Sequence, residues 1–276
     1  FLIRTRKEQY NTYLSLLGSA FAPVSNAFLR LRPFQWAMDR TIGLDRRRRM
    51  PTFQRGSFVR AARKHLAAVG PLAAPVDRVA YFVDSYADSN DHELGFAVLD
   101  VLRHNDVEVI VPAQRPAPLP AIVYGDVKTA RRDLAFNVAR FTQAVRGGYK
   151  VVCSEPSAAL CLQQEMRHYV SGDDARRVSE NTWELMNFLA DLRRRGRLKA
   201  PTAGVPDEFV YHLPCHLCAV GDETVTLKLL GEHFGVKVTD LRAGCCGLSG
   251  TFGMQKKNYD LADRISESLR NAIATA

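Results

Sequence analysis

Short runs of apolar, β-branched and aromatic residues alternate along most of the chain with longer segments in which apolar residues recur every third or fourth position. The short runs predict strands, and the longer segments predict amphipathic helices. The predicted strands are residues 78–82, 107–111, 149–153, 208–211 and 236–239, and the predicted helices are residues 91–103, 126–146, 157–170, 174–195, 223–233 and 256–273. Because strands that alternate with helices form parallel βαβ units, we expect an α/β fold with parallel sheets.

The amino-terminal part of the chain has a different pattern, with apolar residues set among basic ones between residues 9 and 44. This pattern predicts an amphipathic helix pair beside a basic run, within a helical linker segment of residues 1–76. The pair either packs on its own domain or on a partner, or it lies on a membrane surface. Its large apolar residues are Tyr13, Leu14, Leu17, Phe21, Phe28, Leu29, Phe34, Trp36 and Ile42.

Composition and charge narrow the class of protein. A chain of 276 residues, 46% of them hydrophobic, is long enough to form two units with cores of their own. The net charge is +9, and the densest basic runs are residues 46–49 and 193–197. Neither run is interleaved with aromatic residues, so we expect no nucleic acid but an acidic partner or anionic lipid. No apolar run approaches the roughly twenty residues of a spanning helix, so we expect a soluble or peripheral protein. The expected location is the cytoplasm, with the inner face of the membrane as the peripheral site.

The six cysteines are clustered, which indicates a reducing compartment and cofactor binding more than a disulfide framework. Cys245 and Cys246 are adjacent, and Cys215 lies thirty residues before Cys245. Gly244 and Gly247 allow a sharp turn around the pair. Three soft ligands in this pattern favour an iron–sulfur cluster over a zinc ion, which prefers close pairs spaced C-x2-C. The alternative is that the adjacent cysteines are buried core residues.

The remaining three cysteines have weaker signals. Cys218 completes a C-x2-C spacing with Cys215, and it is either a fourth thiolate ligand or a neighbour of the ligands. Cys153 and Cys161 flank the end of a predicted buried strand and a helix that starts near Pro156, so we expect them to be structural thiols.

The motifs around these cysteines resemble the cysteine-rich CCG-domain iron–sulfur family. They are Tyr-His-Leu-Pro-Cys-His-Leu at residues 211–217, Ala-Gly-Cys-Cys-Gly at 243–247 and Gly-Thr-Phe-Gly-Met at 250–254. The family includes the heterodisulfide reductase B subunit, the C subunit of anaerobic glycerol-3-phosphate dehydrogenase, and the iron–sulfur parts of glycolate- and lactate-oxidising FAD enzymes. The resemblance implies a cluster, 4Fe–4S in type, on Cys215, Cys245 and Cys246. The family's closing Cys-x-x-Cys is absent, and it is expected just past residue 276 of a longer polypeptide.

Family members usually carry this unit twice, and the first half of the chain contains a matching pattern without the thiols. An offset of 130 places Ser85 on Cys215, and an offset of 129 places residues 116–118 on residues 245–247. We therefore predict a degenerate unit at residues 77–200 and a cluster-binding unit at residues 201–276, with one cluster per chain.

The resemblance implies that the chain transfers electrons and is a component of an oxidoreductase complex, not a complete enzyme. Its partner would be a FAD-containing dehydrogenase, fused or separate, that oxidises glycerol 3-phosphate, lactate or glycolate, with quinone or another carrier as the acceptor. Backbone amides of the glycine-rich loop, at Gly244, Gly247 and Gly250, are expected to surround the cluster sulfurs. The alternatives are a catalytic heterodisulfide or thiol reductase subunit, and a structural subunit with zinc or no metal.

Overall fold

The computed structural model describes residues 18–201 and 204–276. The start of the predicted amphipathic pair, residues 9–17, lies outside the described residues. The remainder is a helical hairpin of α1 (Ala22–Arg30) and α2 (Arg32–Thr41), which confirms the predicted amino-terminal helices. A further helix, α3 (Phe58–Val69), packs against the first sheet through the fully buried Phe58. No helix among residues 18–201 and 204–276 is long and apolar enough to span a bilayer.

The first unit is a four-stranded parallel sheet in the order β2-β1-β3-β4. Helices connect the strands as in successive βαβ units. The strands are β1 (Asp77–Phe82), β2 (Val107–Ile110), β3 (Lys150–Cys153) and β4 (Thr182–Glu184). The helices are α4 (Ser85–Ser89), α5 (His92–His104), α6 (Leu119–Val123), α7 (Val127–Arg146), α8 (Pro156–Leu160), α9 (Met166–Tyr169), α10 (Asp173–Glu180) and α11 (Leu185–Arg194), with a π-helical turn at Cys161–Glu165 between α8 and α9.

Strand β1 is the centre of the first unit because both faces of this strand are buried. Successive side chains of a strand point to opposite faces. Val79 and Tyr81 enter the core formed with α3, α5 and α11, whereas Ala80 and Phe82 enter the core formed with α7 and α8. Helices cover both faces, as is typical of parallel sheets.

The second unit has a smaller sheet, in which β5 (Glu208–Tyr211) pairs in parallel with β6 (Lys237–Asp240). Its helices are α12 (Leu217–Val220), α13 (Val225–Lys228), α14 (Tyr259–Ile265) and α15 (Glu267–Thr275), with a π-helical turn at Leu229–His233 and 3-10 turns at Phe252–Met254 and Lys256–Asn258. Among the described residues β5 pairs with β6 alone, and Phe209 and Val210 are 38% and 49% exposed. The unit is therefore more open than the first.

The strand register supports the internal repeat. Arg78 lies opposite Glu108 in the first unit, and Glu208 lies opposite Lys237 in the second. Offsets of 130 for the first strand and 129 for the second convert one pair into the other. The next two pairs along the strands correspond in the same way. The fold class, α/β with parallel sheets and paired units, is thus confirmed.

A left-handed residue occurs at the same place in both units. Asp106 has φ 54° directly before β2, and Gly235, its counterpart at an offset of 129, has φ 69° two residues before β6. The helical stretches that follow also correspond, since α7 maps onto residues 256–275. The boundaries at residues 77–200 and 201–276 remain predictions.

One predicted element is wrong. Residues 174–195 were expected to form one helix, but β4 interrupts them between α10 and α11. Thr182 is β-branched and Trp183 is aromatic, and both residue types are enriched in strands. Their pairing with Val151 and Val152 replaces the hydrogen bonds that a helix would provide.

Candidate metal centre

The two cysteine loops leave the same edge of the second sheet. Parallel strands end at a common edge, and the last pair of β5 and β6 is Tyr211 opposite Asp240. The Leu241 amide continues the pairing by donating to the Tyr211 carbonyl at 3.0 Å. Just beyond the strands, His212 Nε2 donates to the carbonyl oxygen of Gly244 at 2.9 Å. This bond joins the loop that leads to Cys215 with the loop that leads to Cys245.

The thiols predicted as ligands are all accessible. Cys215, Cys218, Cys245 and Cys246 are exposed. The Gly247 amide donates to Cys245 Sγ at 3.3 Å, which is the kind of amide–sulfur contact expected of the glycine-rich loop. At Cys218, partial desolvation raises the pKa of the thiol, and the nearby Glu223 carboxylate raises it further. The Cys218 thiolate is therefore harder to form than a free one.

The structure brings the two cysteine loops to one sheet edge, but the residues that it describes include no gathered metal-binding group. In the described part of the chain, no three Cys, His, Asp or Glu side chains lie close enough together to hold a metal ion. The exposed thiols, as soft donors next to backbone amides, fit an iron–sulfur cluster in chemistry. The convergence of Cys215, Cys245 and Cys246 around one cluster remains a prediction.

The three glycines around the cysteine pair differ in backbone conformation and in the space around them. Gly247 has φ +74°, and a Cβ there would lie 2.2 Å from the carbonyl oxygen of Ala262 in α14. Gly250 also has a positive φ, of +62°, but open space surrounds it. Gly244 does not adopt the left-handed conformation, so the sharp turn after the cysteine pair depends on Gly247.

In the first unit, protein side chains occupy the corresponding edge. Asp84, which precedes Ser85, caps α4 by accepting from the amides of Tyr86 and Ala87 at 2.8 and 3.0 Å. The Ser154 hydroxyl lies 2.8 Å from the Tyr81 hydroxyl and 3.4 Å from Asp84 Oδ2. Burial raises the pKa of Asp84, against the effect of the amides that it accepts from. Hydrogen bonds among protein groups thus connect the residues at this edge of the first sheet.

Two more carboxylates at this edge are helix caps. Glu155 accepts from the Ala158 amide at 2.7 Å and caps α8, and Glu184 accepts from the Asn187 amide at 3.0 Å and caps α11. Their role is therefore structural. Cys153 and Cys161 are fully buried beside them, and burial raises the pKa of both thiols, as a structural role requires.

The loop that corresponds to the cysteine pair is fixed by an asparagine. Asn137 of α7 accepts from the Arg115 amide at 2.8 Å and donates to the Arg115 carbonyl at 2.9 Å. Arg115 is the counterpart of Gly244, whose carbonyl accepts from His212. Both units therefore bind the loop backbone at the same position by a side chain.

The basic runs are largely engaged within the chain. Arg47 pairs with Asp45 at 2.7 Å, and Arg193 pairs with Glu232 at 3.1 Å. Arg195 bonds Asp77 at 2.6 Å. Part of the charge of these runs is therefore paired within the chain, whereas Arg46 and Arg49 are exposed.

The chain is similar over nearly its full length to curated C subunits of anaerobic glycerol-3-phosphate dehydrogenase. It is 28% identical over 98% of its length to the C subunit of the anaerobic glycerol-3-phosphate dehydrogenase of Escherichia coli strain K12, and covers 69% of that protein. It is 29% identical to lactate utilization protein A of Geobacillus thermodenitrificans, over 64% of this chain and 75% of that protein. It is 25% identical to the B subunit of the fumarate reductase (CoM/CoB) of Methanothermobacter marburgensis, over 72% of this chain and 38% of that protein.

No family model and no solved structure matches the chain. The curated relatives nevertheless confirm the resemblance inferred from the motifs, because they include the dehydrogenase C subunit and a lactate utilization protein.

Proposed function

We propose that this chain is an iron–sulfur electron-transfer subunit or domain of a FAD-linked dehydrogenase that oxidises a small hydroxy compound. The observation that carries the proposal is the pair of loops with exposed thiols at the carboxyl ends of β5 and β6, joined by the bond from His212 to Gly244. Similarity along 98% of the chain to a glycerol-3-phosphate dehydrogenase subunit supports the electron-transfer role.

Cys215, Cys245 and Cys246 would hold the cluster, with Cys218 as the candidate fourth thiolate. When bound, an iron–sulfur cluster supplies reversible one-electron chemistry. The amide of Gly247, which already donates to the Cys245 sulfur, would stabilise the reduced form, as would amides at Gly244 and Gly250. Exposure of the thiols would leave the cluster open to close approach by a redox partner.

The helical hairpin offers the surface for that partner. Phe21, Trp36 and Leu31 are 66%, 53% and 50% exposed, and single exposed apolar residues are common whereas a group of them marks an interaction site. Arg46 and Arg49 are exposed beside the hairpin. The proposed partner is the FAD-containing dehydrogenase, and the anionic membrane surface, with quinone as acceptor, is the second candidate.

Reconstitution with iron and sulfide under anaerobic conditions tests the cofactor. We expect a broad visible absorbance that bleaches with dithionite, because a zinc site has no redox chemistry. Cys245→Ser should abolish the colour while the first unit remains folded, and Cys161→Ala, which removes a buried thiol, should retain it. A colourless wild-type protein that binds zinc stoichiometrically would refute the electron-transfer proposal.

Association with the partner is tested by titrating salt. Co-purification with the flavin dehydrogenase and binding to anionic liposomes are compared for the wild type and for Arg46→Gln/Arg49→Gln. We expect binding to weaken as salt rises and the double variant to bind less at low salt, because salt screens exposed charges. Binding that ignores both salt and the substitutions would leave these arginines without the proposed role.

A further inference from the structure

A segment that the sequence marks only as basic crosses the loop that follows the cysteine pair. We call residues 39–48 the strap, and residues 247–256 the cysteine-proximal loop. The strap contains the end of α2 and the residues after it. Leu44 forms an antiparallel bridge with Gln255. The Asp45 amide donates to the Met254 carbonyl at 2.9 Å, and the Lys256 amide donates to the Gly43 carbonyl at 2.8 Å. The two segments, which are distant in sequence, thus pair like short strands.

Charged side chains reinforce this pairing. Asp39 forms an ion pair with Lys256, and both carboxylates of the strap, Asp39 and Asp45, are buried. The hydrogen bond from Lys256 lowers the pKa of Asp39, and that from Arg47 lowers the pKa of Asp45. Both groups are therefore held in the charged form.

Two arginines of the strap pack on one aromatic ring at the start of α14. The guanidinium carbons of Arg47 and Arg48 lie 3.5 and 4.6 Å from the ring centroid of Tyr259. Arg48 Nε also donates to the Gly253 carbonyl at 2.9 Å, whereas Arg48 Nη2 is buried with no hydrogen-bond partner among the described residues. A buried N–H donor of a cation that has no hydrogen-bond partner lowers the stability of the fold. Packing alone therefore does not explain why an arginine stands at position 48.

The first unit holds the same loop from another position. The Tyr124 hydroxyl, at the end of α6, lies 2.8 Å from Thr251 Oγ1 and accepts from Gln255 Nε2 at 3.0 Å. The cysteine-proximal loop is consequently bound both by the strap and by the end of α6.

The contact is transmitted to the cysteine pair through two glycines. Gly253, whose carbonyl accepts from Arg48, donates its amide to the Leu248 carbonyl at 2.8 Å. A Cβ on Gly253 would lie 2.4 Å from the Gly247 carbonyl oxygen, so the backbones of the two glycines are in direct contact. Gly247 in turn follows Cys246 and donates to the Cys245 sulfur.

We propose that the strap is a positioning element for the cysteine pair, and that Arg48 is its central positioning residue. Arg48 fixes the backbone that supports Gly247 and supplies a positive charge with an unused donor close to the thiolate loop. The positioning role concerns the chain's own backbone, whereas the electrostatic role rests on the proposed function. A positive charge near a cluster stabilises its reduced form and so raises the reduction potential.

Hydrogen–deuterium exchange on the metal-free protein tests the positioning role without any cluster. We expect Arg48→Met to accelerate exchange in peptides from residues 247–256 about tenfold, the effect of losing one hydrogen bond from a charged group. Arg48→Lys should restore part of the protection, and Arg49→Met, at the exposed neighbouring position, should leave exchange unchanged. Tyr124→Phe should accelerate exchange in residues 251–256 by a smaller factor, since a neutral bond is lost.

The reduction potential of the reconstituted protein tests the electrostatic role. It should fall in Arg48→Met and return towards the wild-type value in Arg48→Lys, which keeps the charge. Wild-type exchange in the loop of Arg48→Met, or equal acceleration in Arg49→Met, would overturn the positioning role. An unchanged potential in Arg48→Met would overturn the electrostatic one. Absence of a cluster in the wild type would refute the proposed function instead. The exchange measurement on the metal-free protein would still show whether the strap positions the cysteine-proximal loop.

Discussion

The turn after the cysteine pair can be tested by adding one methyl group to a glycine. Gly247→Ala places a Cβ at a backbone φ of +74° and 2.2 Å from the Ala262 carbonyl oxygen, where contacts under 3.0 Å are not tolerated. Gly250→Ala is the matched control, because its φ of +62° is similar and its Cβ would meet open space. The pair therefore separates the cost of the backbone conformation from the cost of the steric overlap.

The expected magnitudes follow from these two contributions. The left-handed conformation costs a residue with a Cβ about 1–2 kcal/mol, which is the whole expected effect of Gly250→Ala. Overlap in a closely packed region adds about 1–3 kcal/mol. The sum for Gly247→Ala is about 2–5 kcal/mol, because the overlapping atom belongs to the backbone of α14 and cannot turn away.

Urea unfolding followed by circular dichroism measures the difference between the two variants. With a slope of about 1–3 kcal/mol per molar urea, the midpoint of Gly247→Ala should fall clearly below that of Gly250→Ala. Exchange in residues 259–265 should also accelerate in Gly247→Ala alone. Equal midpoints for the two variants would show that α14 does not confine Gly247, and would refute the account of this turn.

Two further predictions concern the first unit and helix α3, which packs on its sheet. Phe58→Ala should lower the free energy of unfolding by about 3–5 kcal/mol in urea titrations, because Phe58 is fully buried against Tyr81 and Phe96. A loss below about 1 kcal/mol would contradict this prediction, since it would mean that neighbouring side chains fill the cavity. Asp77→Asn should change the pH dependence of stability. Burial raises the pKa of Asp77, but hydrogen bonds from Lys150 and Arg195 outweigh the effect of burial, so the pKa lies below the ordinary value of an aspartate. A lowered pKa contributes stability that is fully present above the unfolded-state value and is lost as the pH falls through the folded-state value. The wild type should therefore exceed Asp77→Asn in urea midpoint at about pH 6 and lose that advantage as the pH falls below about 4; a difference that does not depend on pH would contradict the assignment.

The elements that could be predicted are those whose pattern is local. The runs that became β1, β3 and β5 combine β-branched or aromatic residues with polar boundaries, and they lie within a residue of their predicted positions. The repeat could also be predicted, because the number of residues between the two paired strands is nearly the same in both units although the intervening sequences differ. Strand β4 was missed because Thr182 and Trp183 occupy a short break between two helical patterns, and only pairing with β3 stabilises them as a strand.

The strap could not be predicted because its function depends on tertiary contacts. A run of arginines is usually a solvated surface, and nothing in residues 45–49 indicates that Asp45 would be 4% exposed or that Arg48 would reach Gly253. The same applies to Arg195, whose partners Asp77 and Asp191 belong to β1 and α11. Net charge thus overestimated the surface available to an acidic partner.

The first unit contributes to the second although it has no thiols at the positions that correspond to the cysteine loops. At its carboxyl edge, Asp84, Glu155 and Glu184 cap three helices by accepting hydrogen bonds from backbone amides. The same unit supplies Tyr124, which binds the loop after the cysteine pair of the second unit. The second unit has a smaller and more exposed sheet, so its cysteine loop depends on contacts from outside. The first unit therefore supports the loop of the second through Tyr124, a role that depends on its fold and needs no metal ligand.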